Sequence, residues 1–182
     1  MKNAIILHGT GCTPNSYWIP YIKKHLEQNG YSLWVPQLPE PDTPDLKLQL
    51  SYVLKNGKFN KDTILIGHSA GGPLILGILD NIDVKIKKAI LVAGYARPKG
   101  TVPQPEKILQ KRYNWKKIKN NAKEIIFINS DNDPWGCDDK EGRYMFDNLG
   151  GVLIIRHGDG HMGSDTYNQP YKEFPFLKSL LP

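Results

Sequence analysis

Short aliphatic runs alternate with amphipathic stretches along the whole chain. Six runs of four to six residues show little polar alternation, which is typical of strands buried on both faces of a sheet. They are Asn3–Leu7, Ser32–Val35, Thr63–Ile66, Lys88–Ala93, Glu124–Ile128 and Val152–Ile155. Because helical patterns separate these runs, we predict an α/β fold with a mainly parallel central sheet of about six strands and helices on both faces.

Apolar residues at helical spacing fill the intervals between the runs. Three sets are clear: Trp18, Tyr21, Ile22, His25 and Leu26; Leu46, Leu50, Val53 and Leu54; Leu74, Ile75, Ile78 and Leu79. Asp138, with Glu141 three residues later, predicts a helix that starts with a capping box, and Phe174–Leu181 predicts a last helix. The segments Leu38–Pro44 and Ala96–Pro105 are rich in proline and predict irregular connections. The second leaves room only for a minimal lid.

The third run leads directly into a catalytic motif. Gly67-His68-Ser69-Ala70-Gly71 follows the predicted strand and precedes a predicted helix. Gly-x-Ser-x-Gly in that context predicts a nucleophile elbow, a strained turn that exposes the serine hydroxyl. Glycine is expected on both sides because strand and helix approach too closely for a Cβ atom. Ser69 is therefore the candidate nucleophile.

A serine nucleophile needs a base and an acid that orients it. His157 and His161 directly follow the last predicted strand, and sites collect at strand carboxyl ends in open parallel sheets. His161 is the preferred base because flanking glycines let the chain turn it inward, and His157 is the alternative. The acid is expected after the preceding strand. Asp133 is preferred there, with Asp131 as the alternative.

The first predicted strand ends in a glycine-rich turn, His8-Gly9-Thr10-Gly11. Acyl transfer needs donors for the developing oxyanion, and we expect the backbone amides of Thr10 and Ala70 to supply them, with Gly11 as an alternative to Thr10. The turn lacks the Gly-Lys-Ser/Thr ending of a phosphate-binding loop. Three aromatic residues beside these loops are candidates for a pocket wall, although packing explains them equally well: Tyr17, Trp18 and Trp135.

Composition narrows the class of protein. The 182 residues suit a single domain, residues 1–182. No apolar run is long enough to span a membrane, and Met1–Leu7 reads as a first strand rather than a secretory signal. Two cysteines, Cys12 and Cys137, make no disulfide framework. Unlinked thiols are favoured over a redox-sensitive bond at the pocket mouth, and a cytoplasmic location is expected.

The net charge of +6 includes seven Lys or Arg residues between Lys107 and Lys123, interleaved with Tyr113 and Trp115. Such a segment can bind nucleic acid, but no known motif accompanies it, so we favour a solvated helix face. We also expect no metal. The spacing of His157 and His161 needs a helix to place both on one face, and the glycines between them argue against one.

Together these motifs resemble the α/β-hydrolase superfamily, and specifically the small serine hydrolases of the YdeN and retinoblastoma-binding protein nine type. The shared features are the His8-Gly9 turn followed by Trp18, the elbow with histidine before serine, the Ser130–Pro134 acid loop and the Gly160-His161 turn. One departure is Asn132, where relatives often have a second acid. The resemblance implies a Ser69–Asp133–His161 triad and esterase-like activity without a cofactor.

We therefore expect a serine hydrolase that cleaves small acyl esters or thioesters through an acyl-enzyme. Its partner would be a small-molecule acyl substrate, with no nucleic acid and no membrane; a protein partner stays open. The alternative is a hydrolase-fold module that binds proteins with little turnover. An intact set of serine, histidine and acid favours the enzyme.

Overall fold

The computed structural model describes residues 1–102 and 106–182, and the strands in these ranges form one sheet. Every neighbouring pair is parallel, in the order β2-β1-β3-β4-β5-β6. The bounds are β1 Asn3–Leu7, β2 Ser32–Trp34, β3 Ile64–His68, β4 Ile86–Val92, β5 Ala122–Ser130 and β6 Val152–Arg156. All six predicted strands are confirmed, with β4 and β5 starting two residues earlier than the aliphatic pattern indicated.

The helices between these strands are α1 Ile19–Gln28, α2 Leu46–Asn56, α3 Gly71–Asn81, α4 Trp115–Asn120 and α5 Asp139–Leu149, and α6 Pro175–Ser179 follows β6. The chain moves from β1 towards one edge of the sheet, and from β2 onwards towards the other. Since parallel crossovers are right-handed, this reversal places α1 on one face and α2 to α5 on the opposite face. The contacts agree: α1 packs on β1, β2 and α6, whereas α2 to α5 pack on one another in series.

The centre of the sheet forms the hydrophobic core. Every residue of β3 is buried, and so are four of the five residues of β1. Helix α3 is buried from Gly71 to Leu79 because it lies between α2 and α4 on the sheet. The elbow therefore joins a wholly buried strand to the buried part of a helix, and the packing of these two elements holds its position.

Two local predictions need correction. Asp138 does cap α5, since its Oδ1 accepts from the amides of Lys140 and Glu141 at 3.0 and 3.4 Å. However, the Glu141 carboxylate does not complete a capping box; it accepts from the Arg97 guanidinium at 2.6 Å. The basic segment is also not one helix.

Within the basic segment only α4 is helical, and the residues before it form turns. Ile108 and Ile118 are buried, and Ala122 is buried as the first residue of β5. Of the predicted irregular connection Ala96–Pro105, the part from Pro103 to Pro105 lies outside the described residues, while residues 96–102 and the loop Leu38–Pro44 contain no helix or strand. No helix of the described chain is long and apolar enough to cross a bilayer.

The reversal of chain direction also creates the crevice in which a site is expected. Strands β1 and β3 are neighbours, but the crossovers after them leave on opposite faces. Their carboxyl ends therefore open outwards between the loops, and such switch points are where open α/β sheets bind ligands. The turns after β1 and β3 carry Thr10 and Ser69.

Candidate active site

Ser69 sits at the tip of a strained turn between β3 and α3. Its φ angle is 52°, a left-handed conformation that costs energy for a residue with a Cβ atom. A Cβ added at Gly67 would lie 2.5 Å from the carbonyl oxygen of Gly71, and one at Gly71 would overlap the carbonyl of Leu7. The predicted need for glycine on both sides of the serine is thus confirmed.

The predicted base and acid lie together in the interior. His161 Nδ1 is 2.7 Å from Asp133 Oδ2, and the two side chains are 6% and 0% exposed. The other carboxylate oxygen, Oδ1, accepts from the Trp135 amide at 2.8 Å. Because a carboxylate only accepts, the Nδ1 proton is on His161, and Nε2 of its ring is left as the acceptor.

The two alternative residues also pair, but with each other and at the surface. His157 Nδ1 lies 2.6 Å from Asp131 Oδ2, and the His157 side chain is 96% exposed. The hydrogen bond to Asp131 raises the pKa of His157. The Gly158 amide and, after it, His157 lower the pKa of Asp131. Neither His157 nor Asp131 lines the cavity described next.

A cavity of about 590 Å³ opens in front of Ser69 and His161, which both form part of its wall. Tyr17 and Trp135 line it as predicted. Trp18 does not, so of the two alternatives that the sequence left open for it, pocket wall or packing, the structure favours packing. Trp18 is wholly buried, its indole N–H donates to the Met162 carbonyl at 3.0 Å, and its ring packs in the hydrophobic core.

The turn after β1 packs directly on the elbow. A Cβ atom at Gly9 would lie 2.9 Å from that of Ser69. The Gly11 amide donates to the Pro41 carbonyl at 2.8 Å and is therefore not free to bind an oxyanion. Among the described residues, the amides of Thr10 and Ala70 donate to no backbone or side-chain acceptor. Ala70 also caps α3, whose amino end carries positive partial charge.

A charged pair in the cavity wall was not anticipated from the sequence. The Lys99 ammonium contacts Glu106 Oε2 at 2.5 Å and lies 3.2 Å from the centre of the Tyr95 ring. Both charged side chains are almost fully buried, and all three residues line the cavity. Neither Lys99 nor Glu106 lies in a helix or strand, so neither helical nor strand periodicity could reveal the pair.

Among the residues that the structure describes, one cluster offers metal ligands. Atoms of Asp133, Cys137 and His161 lie within 4.8 Å of one another, and all three residues are buried. Burial raises the pKa of the Cys137 thiol well above its ordinary value, so the thiol stays protonated. With His161 and Asp133 already bonded to each other, the arrangement favours a hydrogen-bonded pair over a metal site. Cys137 and Cys12 are both unpaired.

Comparison with known proteins identifies the family. A family model described as serine hydrolase matches residues 4–180, nearly the whole chain. The chain belongs to the serine hydrolase family. Among its relatives in that comparison are YdeN of Bacillus subtilis, 29% identical over 135 residues, or 72% of this chain and 71% of YdeN. The serine hydrolase RBBP9 of Rattus norvegicus is 26% identical over 179 residues, covering 96% and 91% of the two chains.

Solved structures give the fold of this serine hydrolase. The crystal structure of the ydeN gene product of B. subtilis matches with a TM-score of 0.89 at 24% identity, over 99% of this chain and 96% of that one. The mouse α/β hydrolase domain-containing protein 10 matches with a TM-score of 0.66 at 13% identity, over 90% and 84%. The predicted α/β-hydrolase fold is confirmed.

Proposed function

We propose that this serine hydrolase cleaves small acyl esters or thioesters, with Ser69 as nucleophile, His161 as general base and Asp133 as the acid that orients the base. One observation carries the proposal. The buried hydrogen bond between His161 and Asp133 lies at a cavity whose wall includes Ser69 on a strained turn. A nucleophile, a base and an orienting acid are the parts that acyl transfer requires.

In the first half-reaction, Nε2 of His161 takes the proton from the Ser69 hydroxyl as Oγ bonds to the acyl carbon. The imidazolium then gives that proton to the leaving oxygen or sulfur, whose bond to the acyl carbon breaks. In the second half-reaction, water replaces the leaving group. His161 takes a proton from water and returns it to Ser69 Oγ as the carboxylic acid departs. Asp133 stays ionised throughout and stabilises the imidazolium.

The developing oxyanion would be bound by the free amides of Thr10 and Ala70. These donors are backbone groups whose positions are held by packing, because Gly9 lies against Ser69 and Ala70 begins a buried helix. Preorganised donors of this kind need no rearrangement when charge develops, which is the main source of their catalytic effect.

The cavity supports a preference for short acyl groups. Its wall contains the Lys99–Glu106 pair and the exposed carboxylates of Asp42 and Asp165, and a long acyl chain would be unfavourable beside these charged groups. We expect p-nitrophenyl acetate and butyrate to be cleaved with higher kcat/KM than esters of long acyl chains. A clear preference for chains beyond about ten carbons would contradict this assignment.

Covalent labelling with a fluorophosphonate probe tests the proposed chemistry. The wild-type protein should be labelled and Ser69→Ala should not. Ser164→Ala is the matched control, because Ser164 lines the same cavity but its hydroxyl accepts from the Trp135 indole at 3.1 Å. This variant should still be labelled. Equal labelling of wild type and Ser69→Ala would refute the triad, because another nucleophile would then react with the probe. No labelling of either would refute it too and favour a binding module with the same fold.

A further inference from the structure

We propose that His68, the residue before the nucleophile, is a positioning residue that holds His161 in place through the main chain of the base. The inference rests on the proposed function, in which His161 is the general base. It starts from a direct contact: His68 Nε2 lies 3.0 Å from the carbonyl oxygen of His161. A carbonyl only accepts, so the Nε2 proton is on His68 and is donated to it.

The loop that carries His161 needs such a partner because of its backbone conformation. Gly158, Gly160, Met162 and Gly163 all have positive φ angles, which prevents a regular helix or strand. Buried backbone groups must nevertheless be hydrogen-bonded, and His161 is only 5% exposed. Its amide and carbonyl must therefore find partners outside the loop's own main chain.

Side chains outside this loop supply these partners, and two of the three, His68 and Trp18, are far away in sequence. The His161 amide donates to Gln169 Oε1 at 2.8 Å, while the His161 carbonyl accepts from His68. The next carbonyl, that of Met162, accepts from the Trp18 indole at 3.0 Å. The main chain of the base is thus bonded on both sides, while Asp133 holds its ring. Of these partners, only His68 is adjacent in sequence to the nucleophile.

The environment of His68 keeps it a donor. Its ring lies edge-on to the rings of Tyr17 and Trp18, with centroids 5.8 and 5.7 Å away, so it cannot rotate freely. Its Nδ1 atom is buried and has no hydrogen-bond partner among the described residues. Burial, and to a smaller extent the neighbouring His161, lower the pKa of His68 to about 3. The ring is therefore neutral, and it adds no positive charge beside His161 when that base becomes an imidazolium.

The contact links the nucleophile and the base. Ser69 is the next residue along the chain, and its amide is held by the Val92 carbonyl at 2.9 Å. The same rigid turn thus places Ser69 Oγ and, through His68, the carbonyl of His161. Losing the link would leave both groups present but less well aligned, and a misplacement of about 1 Å can reduce turnover about a hundredfold.

Two substitutions separate the donor from the volume of the ring. His68→Leu fills the space without a donor, whereas His68→Gln retains an N–H donor near the position of Nε2. We expect His68→Leu to lose about a hundredfold in kcat with KM changed by less than about threefold, and His68→Gln to recover most of the loss. Ile22→Val, a change in the buried face of α1, serves as a control for general loss of stability; its kcat should match the wild type.

Proton NMR gives a readout that does not depend on activity. The proton between His161 Nδ1 and Asp133 should give a low-field resonance in the wild type that shifts or broadens in His68→Leu and returns in His68→Gln. If the wild type shows no labelling by fluorophosphonate, the proposed function fails while this resonance still tests the contact. An unchanged resonance and unchanged kcat in His68→Leu would overturn the proposal. So would failure of a folded His68→Gln to recover kcat.

Discussion

The structure separates two histidine–aspartate pairs, and this makes the role of Asp133 testable against an internal control. Asp133→Asn changes the buried pair, and Asp131→Asn changes the exposed one. In the first variant, Oδ1 must remain an acceptor for the Trp135 amide, whose N–H points at it over 2.8 Å. The new NH₂ group then faces His161 Nδ1 and forces it to become an acceptor. The proton moves to Nε2, where it blocks uptake of the serine proton.

The magnitude follows from the burial of the pair. An imidazolium and a carboxylate with charge centres roughly 4 Å apart attract each other by about 4 kcal/mol at an effective dielectric constant near 20. Each 1.36 kcal/mol is a factor of about ten in rate, so losing this attraction alone lowers kcat about a thousandfold. The altered tautomer adds to the loss. In Asp131→Asn the altered pair is solvated and screened, so kcat should stay within about twofold of wild type.

Initial rates with p-nitrophenyl acetate measure both variants, and thermal unfolding checks that each is folded. KM in Asp133→Asn should stay near the wild-type value, because the carboxylate does not line the cavity. A kcat for Asp133→Asn within about tenfold of wild type would refute the proposed role of Asp133. Equal losses in Asp133→Asn and Asp131→Asn would also refute it, because burial would then not distinguish the two pairs.

Three further outcomes are expected. Asn132 Oδ1 accepts from the buried amide of Gly160, in the loop that carries the base, at 2.8 Å. Asn132→Leu should therefore lower the free energy of unfolding by about 1–2 kcal/mol, or roughly 3–6 °C in Tm. Asn132→Asp keeps an acceptor and should have a Tm near that of the wild type. The pKa of His157 is raised from 6.5 and that of Asp131 is lowered from 3.8. The pair therefore stabilises the fold most at pH values between 3.8 and 6.5, where both groups are charged. This contribution is lost as the pH rises through the raised pKa of His157. The Tm difference between wild type and His157→Ala should therefore be largest near pH 5 and shrink towards pH 8; a difference that grows with pH would contradict the assignment. Finally, intact mass after alkylation under denaturing conditions without reductant should show two labels, on Cys12 and Cys137, because neither is paired; no label would indicate a disulfide.

The pattern of buried strands and the spacing of the motifs predicted much of this molecule. All six strands, the parallel sheet and the elbow follow from local chemistry, because a strand buried on both faces must be aliphatic and a turn as tight as the elbow needs glycine. The order of serine, acid and histidine along the chain also predicted that Asp133 and His161 would meet. Both predictions depend on rules that hold whatever the surrounding side chains are.

Other features depended on contacts between residues far apart in sequence. The glycines beside His161 favoured it over His157 as the inward-turned histidine, but no residue pattern distinguished the burial of Asp133 from that of Asp131. Their roles separate only when the loop after β6 folds over the acid loop, so that one pair is covered and the other stays in water. Tyr17 and Trp18 are neighbours in sequence and were both candidates for the pocket wall, yet Tyr17 lines the cavity and Trp18 is buried in the core.

The amino-acid sequence by itself therefore determined the fold class, the strained turn at Ser69 and the order of the residues proposed for catalysis, since each is encoded in periodicity or in residues a few positions apart. Only the tertiary structure decided which acid and which histidine are buried, which turn amides remain free, and that His68 reaches the main chain of His161. Burial and hydrogen bonding are properties of the packed chain, because each depends on what another segment brings into contact.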